Sequence, residues 1–176
     1  MIWIITTGGT IEGIDYTNES ENAGTLVSIQ DILRNVNISV KYQIENAFSK
    51  DSRFISHEDR ELLKQKIVAV DANHILITHG TVTMVETATY LGKLDIDKTV
   101  VLVGSFILGN EKHSDATFNL GFALGTLQNL DKGVYIVMNG NVFSWTNVIK
   151  NTDENRFEKI RDLVLTVAIL CIIVFV

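Results

Sequence analysis

Proline is missing from this chain of 176 residues, although average usage of about 5% would supply roughly nine. Its loops gain no rigidity from a fixed φ angle. One cysteine, Cys171, excludes an internal disulfide. No run of about five basic residues occurs, and the net charge is −6, so a nucleic-acid surface is not expected. Repeats and low-complexity stretches are absent as well. His57, His74 and His113 lack metal-ligand spacing, so these histidines suggest no metal site. The chain opens on "MIWII" without a charged n-region or a small-residue cleavage site, so the expected location is cytoplasmic.

Apolar residues make up 46% of the chain and charged residues 20%, the balance of one globular domain with a real core. The C-terminal run "LVLTVAILCIIVFV", Leu163 to Val176, holds a single polar residue, Thr166. As a helix it would reach about 21 Å against a hydrocarbon core of about 30 Å. It reads as a buried element or oligomer contact, with an unnatural end and a membrane tail as alternatives. Residues 159–176 are therefore set apart from the domain expected over 1–158.

Apolar runs alternate with helical patterns. "IWIIT", "ISVKYQIENAF" (38–48), "HILIT" and "TVVLVGSF" read as strands. "SIQDILRNV", "SHEDRELLKQKIVAV", "TMVETATYLGKL" and "SDATFNLGFALGTLQNL" space their apolar residues as helix faces, the second with a cap near Ser56 or His57. "GVYIVMNGNVFS" gives two short strands about Asn139-Gly140, a hairpin signal. Strands alternating with helices predict a doubly wound, mostly parallel α/β sheet, Rossmann- or flavodoxin-like, with a C-terminal hairpin. Ligands of such sheets bind beyond the carboxyl ends of the strands. There the chain places "TTGGT", "SKDSR", "THGTVT", "GSFILGNEKHSD" and "NVIKN", which gather hydroxyls, glycines, a lysine and acids on one edge.

Each of these residues also has an ordinary reading. Thr10 can close a turn, Thr81 can cap the helix after it, and Lys150 can be a solvated lysine. Asp51 and Ser52 can form a plain loop. His79 reads as a packed strand-end histidine, and Asp115 as an N-cap beside Ser114.

Four collinear blocks carry a resemblance: "TTGGTIEG" (6–13), "ILITHGTVTMVETATYL" (75–91), "GNEKHSDATFNLGFAL" (109–124) and "GVYIVMNGNVFSWTNVIK" (133–150). Together they resemble the bacterial-type L-asparaginase family over residues 1 to 158, in a short form without that family's second domain. The resemblance implies Thr10 as the nucleophile that attacks an amide carbon. It pairs Thr81 with Lys150, gives Ser52 the substrate's α-carboxylate, and places Tyr16 on a loop that closes over the nucleophile. Such chemistry suits these residue types, and by this route it needs no metal and no cofactor, so none is expected. A threonine hydroxyl needs a base, and a lysine of lowered pKa bonded to a threonine can move the proton. Gly9 and Gly80 leave backbone N–H groups open to a developing oxyanion.

Three departures from the family stand out. Val82 occupies the place of an aspartate that the resemblance assigns to the substrate's ammonium group and to support of the threonine–lysine pair. Leu108 stands where the family has proline. The second domain, which lends residues to a neighbouring subunit's site, is not expected here. A homo-oligomer is expected nonetheless, with a small amide as substrate. The leading reading is thus an amidohydrolase acting on an amide such as L-asparagine, impaired at Val82. A non-catalytic module that binds an amino acid or carboxylate is the alternative. A phosphate- or nucleotide-binding protein is weakest, because the chain has neither a Walker-type lysine nor a G-x-G-x-x-G spacing.

Overall fold

The computed structural model describes residues 1–14 and 27–160. Tyr16 and the run Leu163–Val176 lie outside the described residues. Among the described residues six strands form one sheet: β1 (Ile2–Thr6), β2 (Tyr42–Asn46), β3 (His74–Thr78), β4 (Thr99–Val103), β5 (Gly133–Met138) and β6 (Asn141–Ser144). Their order is β2-β1-β3-β4-β5-β6, with the first five parallel and β6 antiparallel. Every residue of β4, Thr-Val-Val-Leu-Val, is buried, so the sheet is covered on both faces at its centre. At the edge, β2 is only half-buried, and its Glu45 takes a hydrogen bond from Trp3 Nε1 at 3.0 Å and pairs with Lys66.

Among the described residues four helices cover the sheet: α1 (Ile29–Asn35), α2 (His57–Ala69), α3 (Met84–Gly92) and α4 (Ala116–Leu127). Most of each predicted apolar stripe is buried, Ile29, Ile32 and Leu33 on α1 and Met84, Ala88 and Leu91 on α3, while Val36 after α1 and Leu62 on α2 are exposed. Ser28 caps α1 through Gln30 N. Ser56 and Asp59 form a reciprocal capping box on α2. Asn139 (φ 49°) and Gly140 (φ 77°) make the two-residue turn of the β5–β6 hairpin, both in the left-handed region that such turns require.

Three elements differ from the sequence reading, the first being the strand read over 99–106, which ends at Val103 where Gly104 begins the loop. The strand expected over 38–48 is only five residues long, because its register partner β1 is equally short. Past Asn46 the chain instead follows the β1 loop, with Ala47 N bonded to Thr6 O and Lys50 N to Thr7 O. A second hairpin, β7 (Ile149–Asn151) with β8 (Arg156–Glu158), was not anticipated. Three residues per strand are too few to show a period. Packing holds the hairpin in place: Phe157 is buried, with ring centroids 5.9 Å from Phe106 and 6.4 Å from Phe143.

From β1 the chain steps out to β2, then returns across β1 to β3. That reversal opens a crevice between the carboxyl ends of β1 and β3, where a parallel sheet of this order binds ligands. Phe157→Ala is expected to cost about 3–5 kcal/mol in urea denaturation. A loss below about 1 kcal/mol would mean that the β7–β8 hairpin is anchored by something else.

Candidate active site

The loops at the carboxyl edge meet backbone against backbone, and glycines mark the points of contact. Gly9 has φ +80°, and a Cβ there would lie 2.6 Å from Gly80 N. A Cβ on Gly80 would lie 2.6 Å from Ser52 Oγ. No side chain fits at either position, so the loops after β1, β2 and β3 approach more closely than substituted residues allow. The loop after β4 joins them where Gly109 N bonds Thr10 O at 2.9 Å.

On this platform Thr10 opens a short 3₁₀ turn (Thr10–Glu12) and is buried. Thr81 is also buried and accepts a hydrogen bond from Lys150 Nζ at 3.0 Å, across 69 positions of sequence. Lys150 sits on β7 in register with Phe157, and its ammonium stands 5.5 Å from the centre of the Phe106 ring. Burial pushes the Lys150 amine below its ordinary pKa, which favours the neutral, proton-accepting form.

Ser52 opens the 3₁₀ turn after β2 and is fully buried. Its carbonyl accepts the Thr83 hydroxyl at 2.6 Å, which ties the turn to the start of α3. Among the described residues, Ser52 Oγ is the buried side-chain atom without a hydrogen-bond partner, a rarity in a folded chain. Val82 is 46% exposed beside Thr81. The structure therefore brings Gly9, Thr10, Ser52, Gly80, Thr81, Val82 and Lys150 to one edge of the sheet, while Tyr16 falls outside the described residues.

Three supports of this edge escaped the sequence reading. Asp115 does not cap α4; its carboxylate accepts from Phe106 N and Ile107 N at 3.0–3.1 Å and from Asn119 Nδ2 at 2.8 Å, which shapes the loop after β4. Phe106 places its ring beneath Lys150. Glu12 turns inward, and its carboxyl accepts the Thr78 hydroxyl at 2.8 Å. Only the oddity of an acid inside a glycine-rich turn could have flagged Glu12.

Burial raises the Glu12 pKa, against the lowering effect of its bonds from Thr78 and the Gly8 backbone. A carboxyl raised on folding stabilises the fold below its unfolded pKa, and that contribution is lost as pH climbs through the folded value. Glu12→Gln has no such titration. The melting temperature of Glu12→Gln relative to wild type is therefore expected to rise between about pH 4 and about pH 8. A flat difference would show that this carboxyl does not titrate in the window.

The family model for the asparaginase N-terminal domain matches residues 1–164. L-asparaginase 2 of Escherichia coli K12 is 31% identical over 175 residues, covering 90% of this chain and 49% of that protein. The glutaminase-asparaginase of Acinetobacter glutaminasificans is 30% identical over 164 residues, covering 84% and 48%. Among solved structures, the thermostable L-asparaginase of Thermococcus kodakarensis matches with a TM-score of 0.78 at 28% identity, over 90% of this chain and 51% of that one. The probable cytoplasmic L-asparaginase of Campylobacter jejuni matches with a TM-score of 0.75 at 30% identity, over 90% and 52%. This chain spans about half the length of these relatives. Among the described residues no helix is long and apolar enough to cross a membrane. A flavodoxin-type strand order with a glycine-to-glycine crevice, together with a family model that runs through nearly the whole sequence, establishes that the chain belongs to the asparaginase family.

Proposed function

We propose that the chain hydrolyses a small amide such as L-asparagine, with Thr10 as nucleophile. The observation that carries this reading is the 3.0 Å bond from the Lys150 amine to the Thr81 hydroxyl, beside the loop that holds Thr10. In its neutral form Lys150 takes a proton through Thr81 as the Thr10 oxygen attacks the amide carbon. Backbone N–H groups of the glycine-lined crevice face the oxygen as it gains charge, an arrangement worth a few kcal/mol. The C–N bond then breaks. The nitrogen leaves as ammonia with the returned proton, and an ester remains on Thr10. Water cleaves that ester and restores the hydroxyl. Ser52, whose hydroxyl has no partner among the described residues, is assigned the substrate's carboxylate. Tyr16 keeps the closing role that the resemblance gives it.

Val82 favours a second reading, a module that holds the amino acid or carboxylate without turning it over. An exposed valine beside Thr81 offers neither charge to an ammonium group nor a hydrogen bond to the threonine–lysine pair. Losing the charge partner of an ammonium group enclosed with its ligand costs up to about 2–5 kcal/mol, enough to slow or abolish turnover.

Two experiments separate the readings. Wild type is expected to release ammonia from asparagine or glutamine, and Thr10→Ala to lose at least about 1,000-fold of that rate. Should wild type release none while asparagine still raises its melting temperature, the binding module is the right description. Val82→Asp is expected to speed asparagine hydrolysis by about ten-fold or more. An unchanged rate would mean that the chain orients its substrate without a carboxylate at this position.

A further inference from the structure

His79 lies between the end of β3 and Gly80, is fully enclosed, and has no part in the proton transfers above. Its backbone N–H bonds Val103 O at 2.8 Å, which extends the β3–β4 pairing by one residue. Its ring nitrogens have different neighbours. Nδ1 is 2.8 Å from its neighbour Gly80 O, and Nε2 is 2.9 Å from Thr87 Oγ1 on α3. Thr87 is buried in turn and accepts from Arg60 Nε at 3.1 Å. The same guanidinium bonds Ile55 O through Nη1 at 3.2 Å and Glu86 through Nη2 at 3.1 Å.

The chemistry of these groups fixes every proton in the chain. A guanidinium only donates and a carbonyl only accepts. Gly80 O therefore requires the hydrogen on Nδ1. Burial holds the ring neutral by lowering its pKa to about 4, so Nε2 is bare. The Thr87 hydroxyl must then donate to Nε2, and its oxygen is left to accept from Arg60. Nothing in the chain can reverse without setting two donors or two acceptors face to face.

The chain ends on the peptide that carries Thr81. No cis peptide occurs among the described residues, so the Gly80–Thr81 amide is trans, with its N–H pointing opposite to its C=O. Holding Gly80 O against the buried ring turns Thr81 N–H the other way. Arg60 meanwhile grips Ile55 O, three residues after Ser52, in the segment whose Ile55 N bonds Ser52 O at 3.2 Å. One guanidinium thus braces two of the loops that meet at the crevice.

We propose that His79 is a positioning residue: the Arg60–Thr87–His79 chain locks the Gly80–Thr81 peptide plane and so sets the Thr81 hydroxyl and N–H at the site. The proposal rests on the amidohydrolase reading for its kinetic effect, but the proton arrangement can be tested without turnover. Nitrogen-15 imidazole spectra of the intact chain should show His79 as the Nδ1–H form, with no titration between about pH 8 and about pH 5.5. An Nε2–H form, or a titration within that window, overturns the proposal whether or not the protein is active.

In ammonia release, substitutions should rank by whether they keep a donor at the Nδ1 position. The amide of His79→Asn can reach Gly80 O from there. That of His79→Gln lies one carbon further out, and His79→Leu has none. His79→Leu is expected to lose about 100-fold in kcat with KM changed far less, since misplacement of about 1 Å carries that penalty. His79→Asn is expected to lose roughly a tenth as much and His79→Gln to resemble His79→Leu. Thr87→Ser should retain kcat better than Thr87→Val. Equal kcat for the Asn, Gln and Leu variants in an active, folded enzyme overturns the positioning role. If wild type releases no ammonia the reaction reading fails, and the spectra alone decide the proposal.

Discussion

The contact of Gly9 with Gly80 is the constraint on which the site depends. Parallel strands β1 and β3 are hydrogen-bonded neighbours, yet the chain reaches β3 only after a detour through β2. Their loops emerge side by side, and the absence of two Cβ atoms lets the backbones touch. A methyl group at either position would meet a backbone nitrogen or the Ser52 hydroxyl at 2.6 Å. Widening that gap would move Thr10 away from Thr81, and the oxygen of Ser52 away from both. Geometry at this edge therefore comes from close backbone packing, and the polar side chains only use it.

Around the contact, several charged or polar groups are held by partners from other parts of the chain. Lys150 arrives from the β7–β8 hairpin, is partly dehydrated there, and meets Thr81 over the Phe106 ring. Asp115 holds the Phe106 backbone, and Phe157 packs against the Phe106 ring. Arg60 on α2 reaches both the segment after Ser52 and, through Thr87 and His79, the peptide before Thr81. Buried polar networks of this kind are stable only when every donor and acceptor is matched. Ser52 Oγ departs from that rule, and it lies where the family resemblance places a substrate contact.

Much of the fold was legible in the residues. The apolar runs of β1, β3 and β4, the helical spacing of α1 to α4, and the Asn139-Gly140 turn all fell where local pattern placed them. The errors came where local pattern carries no information. β2 is shorter than its alternating sequence because its partner strand ends first. β7 and β8 are too brief to show a period, and their hairpin is placed by a phenylalanine packing on distant rings. Asp115 looks like an N-cap from its position before α4, but two backbone N–H groups of the preceding loop compete for the same carboxylate and win.

The α/β class, the strand-to-loop rhythm and the hydroxyl- and glycine-rich edge were determined by sequence alone, because hydrophobic periodicity and turn chemistry act over a few residues. Tertiary structure decided the pairing of Lys150 with Thr81, the inward turn of Glu12, the unspent hydroxyl of Ser52 and the fixed tautomer of His79. Each of these depends on burial, or on a partner that only the sheet order brings within about 3 Å, the range at which a hydrogen bond or a dehydrated amine gains its character.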